Sequence, residues 1–133
     1  MDYLRNGDDI YRKSFAIIRA EANLDRLPHD LAHVAVRLIH ACGMTDIVSD
    51  LAASSDAVQA GRQAIAAGAP IFCDSQMVAN GITRKRLPTN NEIICTLHHP
   101  EVPDIAQRID NTRSAAALDL WRSGMAGAVV AIG

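Results

Sequence analysis

Three short apolar runs in the second half of the chain limit what it can fold into. They are Ala69-Pro70-Ile71-Phe72-Cys73, Glu92 to Leu97 centred on Ile93-Ile94-Cys95, and Ala128 to Ile132. Each is bounded by turn residues and shows no alternation of polar and apolar positions. A continuous apolar run of that length fits a strand covered on both faces. Helical segments lie between the three. That order predicts an α/β fold with three layers, a mainly parallel sheet flanked by helices. Right-handed crossovers carry those helices across the sheet faces. Ligands in such folds bind beyond the carboxyl ends of the strands, here Asp74-Ser75, Leu97-His98 and Gly133. A strand that reaches Gly133 ordinarily feeds a further loop and helix, so the sequence reads as C-terminally truncated.

A chain of 133 residues suits a single domain spanning 1–133. Its 49% hydrophobic and 21% charged residues fit a globular protein rather than a disordered one. Aromatics are only 4%, too few for base-stacking platforms, and a net charge of −2 argues against a nucleic-acid partner. Met1 to Arg5 is polar and carries no signal-peptide core. No apolar run approaches the ~18 residues of a membrane span. A cytoplasmic protein with no membrane partner is expected. Cys42, Cys73 and Cys95 have no CxxC spacing and sit in apolar strings. They read as reduced, buried thiols rather than a zinc site.

The first helix is expected from Asp8 to about Ala22, with Tyr11, Phe15, Ile18 and Ala22 inward and Ser14 at the edge of that face. Pro28 opens a second helix that ends at Cys42, where Gly43 provides a left-handed stop. Leu31, Val34, Ala35, Leu38 and Cys42 are its expected buried stripe. His33, Arg37 and His40 then share a face to one side. Asp46 to Ala53 fits a short helix or a strand. A third helix follows Ser54-Ser55-Asp56 and runs to about Ala67. Short helices are expected at Gln76 to Asn80, Asp104 to Ile109, and Arg113 to about Ser123. Tyr11 and Trp121 are expected in the core.

His40 is the strongest chemical signal. Histidine titrates nearest neutrality, and the partial negative charge at a helix C-terminus favours an imidazolium. It is the best proton donor the sequence offers, although a structural helix-end histidine fits the local pattern equally. Arg113 follows an Asn-Thr cap, at the end of a helix where a cation is unfavourable. A carboxylate held between its guanidinium and free backbone N–H groups would reverse that, and the alternative is a solvated arginine. Thr83-Arg84-Lys85-Arg86 is a basic run that could receive a polyacid or stand exposed. His29 and His33 have metal-clamp spacing but no HExxH pattern or third ligand, and His98-His99-Pro100 reads as an exposed loop. Phosphate-loop, dinucleotide and nucleophile-elbow signatures are absent.

Four strings together resemble one family. They are Ile10-Tyr11-Arg12-Lys13-Ser14-Phe15, Arg37-Leu38-Ile39-His40-Ala41-Cys42-Gly43, Gly68-Ala69-Pro70-Ile71-Phe72-Cys73-Asp74, and Asn111-Thr112-Arg113-Ser114-Ala115-Ala116-Ala117. Their order and separation resemble the precorrin-8X (cobalt-precorrin-8) methylmutases of corrin-ring biosynthesis. The resemblance implies an isomerase that moves a methyl group between adjacent ring carbons, C-11 to C-12, giving hydrogenobyrinate. It implies a homodimeric α/β protein acting on a tetrapyrrole without cofactor or metal. It places His40 as the catalytic acid, with Ser14, Arg37, Thr83, Arg113 and Ser114 at the substrate. Family members continue past the Ala-Ile-Gly that ends this chain. A corrinoid-binding or carrier module without chemistry is the competing expectation.

Overall fold

The computed structural model describes residues 3–133; Met1 and Asp2, the start of the polar N-terminal segment, lie outside the described residues. The chain forms two compact units, Met1–Val58 and Gln59–Gly133. Each is built around its own apolar clusters.

The first unit is helical. Helix α1 (Gly7–Glu21) starts at Asn6, whose side chain accepts from the backbone N–H of Asp8 at 2.9 Å and of Asp9 at 3.2 Å. Asp8 and Asp9 suit the positive end of that helix. A 3-10 turn at Leu24–Arg26 leads to Pro28, which precedes α2 (His29–Cys42). Gly43 ends α2 at φ 74°, a conformation glycine adopts without the steric cost that other residues meet. The segment compatible with helix or strand is a 3-10 helix, Thr45–Asp50.

The core of this unit is Ile18, Val36, Ile39 and Val48, with Phe15, Leu24, Leu27 and Ile47 packed on it. This corrects the expected stripe on α2. Ala35 is buried as expected, but Val36 and Ile39 face inward with it, while Val34, Leu38 and Cys42 are exposed. Residues 31–39 are apolar on nearly every side of the helix, so two stripes of identical spacing compete. Packing against Ile18 selects the one rotated by a single residue. Two further expectations fail with it. The Cys42 thiol is exposed, and Tyr11 is 45% exposed and outside the core cluster.

The second unit holds the sheet, which is parallel throughout in the order β2-β1-β3. Strand β1 (Ile71–Cys73) is central, flanked by β2 (Ile93–Ile94) and β3 (Val129–Ala131). All three strands fall within the expected runs but are shorter. Every residue of β1 is buried, which is why its run is continuously apolar. Successive side chains take opposite faces. Ile71 and Cys73 pack with Ala79 of α4 (Gln76–Gly81). Phe72 faces Trp121, with ring centroids 5.4 Å apart. Trp121 follows α6 (Arg113–Asp119), so the sheet is covered on both sides.

Helix α3 (Ala57–Ala66) precedes β1, and the boundary between the units falls within it. Helix α5 (Val102–Ile109) begins two residues earlier than expected, with Pro103 in its first turn. It packs on α6 through Val102, Ile105, Ala106, Ala116 and Ala117. Helix α6 is shorter than expected. After Asp119 the backbone tightens into i→i+3 turns, Trp121 to Leu118 at 3.0 Å and Gly124 to Trp121 at 2.8 Å. Those turns bring the indole to Thr96, where Nε1 donates to Oγ1 at 2.8 Å. Thr96 in turn donates to the carbonyl of Ala117 at 2.8 Å.

Candidate functional site

Tyr11, Ser14 and Phe15 stand one turn apart on α1, on the face that meets α2. His40 stands one turn after the buried Val36 on α2. The packing of Ile18 against Val36 and Ile39 therefore brings these four side chains together. The Ser14 Oγ lies 2.8 Å from His40 Nδ1, a normal hydrogen-bond length. The imidazole also sits in an aromatic corner. The Tyr11 ring lies against it at 4.8 Å between centroids with a 35° tilt. The Phe15 ring meets it edge-on at 5.3 Å and 88°. Arg37, one turn before His40, places its guanidinium 5.6 Å from the Phe15 ring centre.

The Ser14 contact defines what His40 can do. When the hydroxyl donates to Nδ1, the neutral ring carries its proton on Nε2. When the ring is charged, Nδ1–H donates back to Oγ and Nε2–H remains available. In these two arrangements Nε2 is a donor; in the other neutral tautomer Nδ1–H donates to Oγ and Nε2 is an acceptor. The same hydroxyl serves both states by rotating, so gaining or losing a proton does not break the contact.

A cleft of about 380 Å³ lies beside this pair. Ile10, Ile17 and Ile39 give it apolar walls, and Lys13, Ser14, Glu21, His40 and Thr45 supply polar groups. Its volume is near the lower end of the roughly 300–1,000 Å³ typical of ligand sites. A cleft of this size accepts an edge of a large ligand.

Of the residues expected at a site, Ser14 and His40 are thus in contact at the cleft, while Arg37 is exposed in the same unit beside Phe15 and does not line the cleft. Thr83, Arg113 and Ser114 belong to the second unit. Thr83 is exposed and precedes the 3-10 turn Arg84–Arg86 without capping it. Arg113 and Ser114 are exposed in the first turn of α6, where the Thr112 hydroxyl accepts from the N–H of Ala115 at 3.1 Å. Arg113 forms no ion pair among the described residues. His29 and His33 pack edge to face at 4.7 Å, and no group of three or more metal-ligating side chains exists among the described residues. His98 and His99 are exposed, as expected. No described helix is long and apolar enough to cross a membrane. Sequence reasoning missed Tyr11 and Lys13. The i, i+3, i+4 spacing of Tyr11, Ser14 and Phe15 was the available signal, since it puts a hydroxyl between two rings.

Comparison with known proteins shows the family of the chain. A family profile described as precorrin-8X methylmutase matches residues 9–133. The chain is 58% identical over 133 residues to the precorrin-8X methylmutase of Pseudomonas aeruginosa, matching all of this chain and 64% of that protein. It is 55% identical over 132 residues to that of a Sinorhizobium species, matching 99% of this chain and 63% of the relative. The crystal structure of precorrin-8X methylmutase from Thermus thermophilus superimposes with a TM-score of 0.80 at 35% identity, covering 96% of this chain and 62% of that one. The chain thus spans less than two thirds of the length of these relatives. By the profile match and these identities, the chain belongs to the precorrin-8X methylmutase family.

Proposed function

We propose that the chain provides the histidine acid of an isomerase acting on precorrin-8X. The methyl group leaves C-11 and bonds to C-12 of the same molecule, giving hydrogenobyrinate. No atom is gained or lost, so the reaction as written requires no group donor or redox partner. Protonation of the conjugated ring system, or a strong hydrogen bond to a ring nitrogen, draws electron density away and favours migration. His40 is the acid, and the proton it lends returns to it after the shift. Such acid catalysis contributes about 100-fold or more.

The observation that carries this reading is the Ser14–His40 pair at a cleft edge, 2.8 Å apart, in a chain of this family. Ser14 bonds Nδ1 and leaves Nε2 as the ring nitrogen open to a ligand. Arg37, Thr83, Arg113 and Ser114 are the proposed contacts for the carboxylates and polar edge of the tetrapyrrole. Arg37 is one turn from His40, and a bound carboxylate beside it would relieve its repulsion of an imidazolium. The working protein is proposed to be a cytoplasmic homodimer.

The test is to mix the protein with precorrin-8X and follow the absorption spectrum. An enzyme converts many equivalents of substrate. A binding module shifts the spectrum only up to one equivalent per site, and that outcome would replace the isomerase reading with a carrier one.

A further inference from the structure

We propose that Tyr11 is a positioning residue for His40, its ring forming the wall that holds the imidazole in its working orientation. The inference rests on the reading of His40 as the acid. One hydrogen bond does not fix a ring. The Ser14 contact holds Nδ1 at 2.8 Å, and the imidazole can still rock about its side-chain torsions while keeping that contact. Tyr11 removes that freedom by lying against the ring at 4.8 Å and 35°. Phe15, nearly perpendicular to the imidazole, closes a second side.

The two aromatic residues have different settings. Phe15 packs on the core of the first unit, so its place is explained by that core. Tyr11 is outside the cluster and 45% exposed, and its ring contacts are Phe15 at 5.7 Å and His40. A large ring left half in solvent contributes less to stability than a buried one. It nevertheless makes the closest ring-to-ring approach to the imidazole, 4.8 Å against 5.3 Å for Phe15. Near-attack geometry is sensitive to displacements of an ångström. A wall behind the acid is therefore a contribution to rate rather than to folding.

The ring makes this contact, so Tyr11→Phe retains it and Tyr11→Leu removes it. Both leucine and methionine suit a helix, and Tyr11→Met is the second ringless variant, with circular dichroism reporting the fold of each. In Tyr11→Leu and Tyr11→Met, kcat on precorrin-8X falls about three- to tenfold, the range an aromatic pair supports, while KM stays near that of the parent. Tyr11→Phe restores kcat. The NMR signals of the His40 ring protons carry a ring-current displacement in the parent and in Tyr11→Phe that is reduced in the ringless variants. Parental kcat together with unchanged His40 signals in a folded ringless variant overturns the proposal and leaves the isomerase reading standing. A parent protein that does not convert precorrin-8X overturns the isomerase reading instead, and the NMR comparison still decides whether the Tyr11 ring lies against the imidazole.

Discussion

Asn91 and Ser14 are both polar side chains drawn into their units, and they use their hydrogen bonds differently. Asn91 is buried in the second unit and bonded throughout. Its Nδ2 donates to the carbonyls of Ile65 and Ala69, both at 2.9 Å, and its Oδ1 accepts from Thr89 at 2.9 Å. Thr96 is similar, joining Trp121 to the Ala117 carbonyl. Each of these groups spends its hydrogen bonds on at least one backbone carbonyl and a neighbouring side chain. Ser14 in the first unit bonds to a titratable side chain at the edge of a cleft. Polar groups consumed by backbone hold a fold, and polar groups paired with each other beside a cleft are available for chemistry.

Substitutions can break that comparison. The largest effect is expected at Trp121, which is 2% exposed and stacked on Phe72. Trp121→Ala should destabilise the second unit by about 3–5 kcal/mol. A denaturant titration that moves by less than about 1 kcal/mol would mean the indole is not the centre of that face. The counterpart in the first unit is His40→Ala. It removes no buried apolar group, so its melting temperature should stay near that of the parent. Its turnover should fall by about 100-fold or more. Parental turnover in a folded His40→Ala protein would remove the acid from the account.

A smaller change sharpens the contrast between hydroxyls. Thr96→Val leaves the Nε1–H of the buried Trp121 without its acceptor. A buried donor left unpaired costs about 1–3 kcal/mol, read as a lower unfolding midpoint. Ser14→Ala frees a half-buried imidazole that water can still reach. It should cost little stability and reduce turnover by about tenfold or less, the range of one hydrogen bond. If Ser14→Ala unfolds the protein while Thr96→Val leaves it unchanged, the division between structural and chemical hydroxyls is drawn in the wrong place.

These differences were unevenly legible in the sequence. The central strand was readable because burial on both faces forces a continuous apolar run, and Ile71-Phe72-Cys73 has no other simple reading. The caps at Ser75 and Thr112 were readable because their side chains act within three residues. Ala35 was legible, but the rest of the inward face of α2 was not, since Val34 and Leu38 compete with Val36 and Ile39 on the same apolar helix. Only contact with α1 breaks the tie. His40 was found from its place in the last turn of its helix and from the string around it. Tyr11 was assigned to the core because an aromatic at helical spacing reads as packing, and its partner lies on another helix. Asn91 gave no signal because the carbonyls it binds are distant in sequence.

The cysteines give the smallest expected effect and the same contrast. Cys42, on the first unit, is exposed, and Cys73, in the central strand, is fully buried. Burial pushes the Cys73 thiol above the ordinary thiol range, with nearby Cys95 and Asp74 adding to the rise and Arg84 opposing it. A disulfide exchange reagent should therefore modify Cys42 in the folded protein and reach Cys73 only on unfolding. The pH dependence follows from the same shift. Below about pH 8.5, the unfolded thiol pKa, Cys73 is protonated in both states and has no effect on stability. Above it the unfolded chain loses the proton first, so it binds fewer protons than the folded one and stability falls with rising pH. The fall stops once pH passes the raised folded value. Cys73→Ala should lose this part of the alkaline decline, whereas Cys42→Ala should keep it. Equal alkaline slopes for the parent and Cys73→Ala, measured by urea unfolding from pH 8 to 10, would show that the central strand does not bury its thiol as tightly as the fold requires.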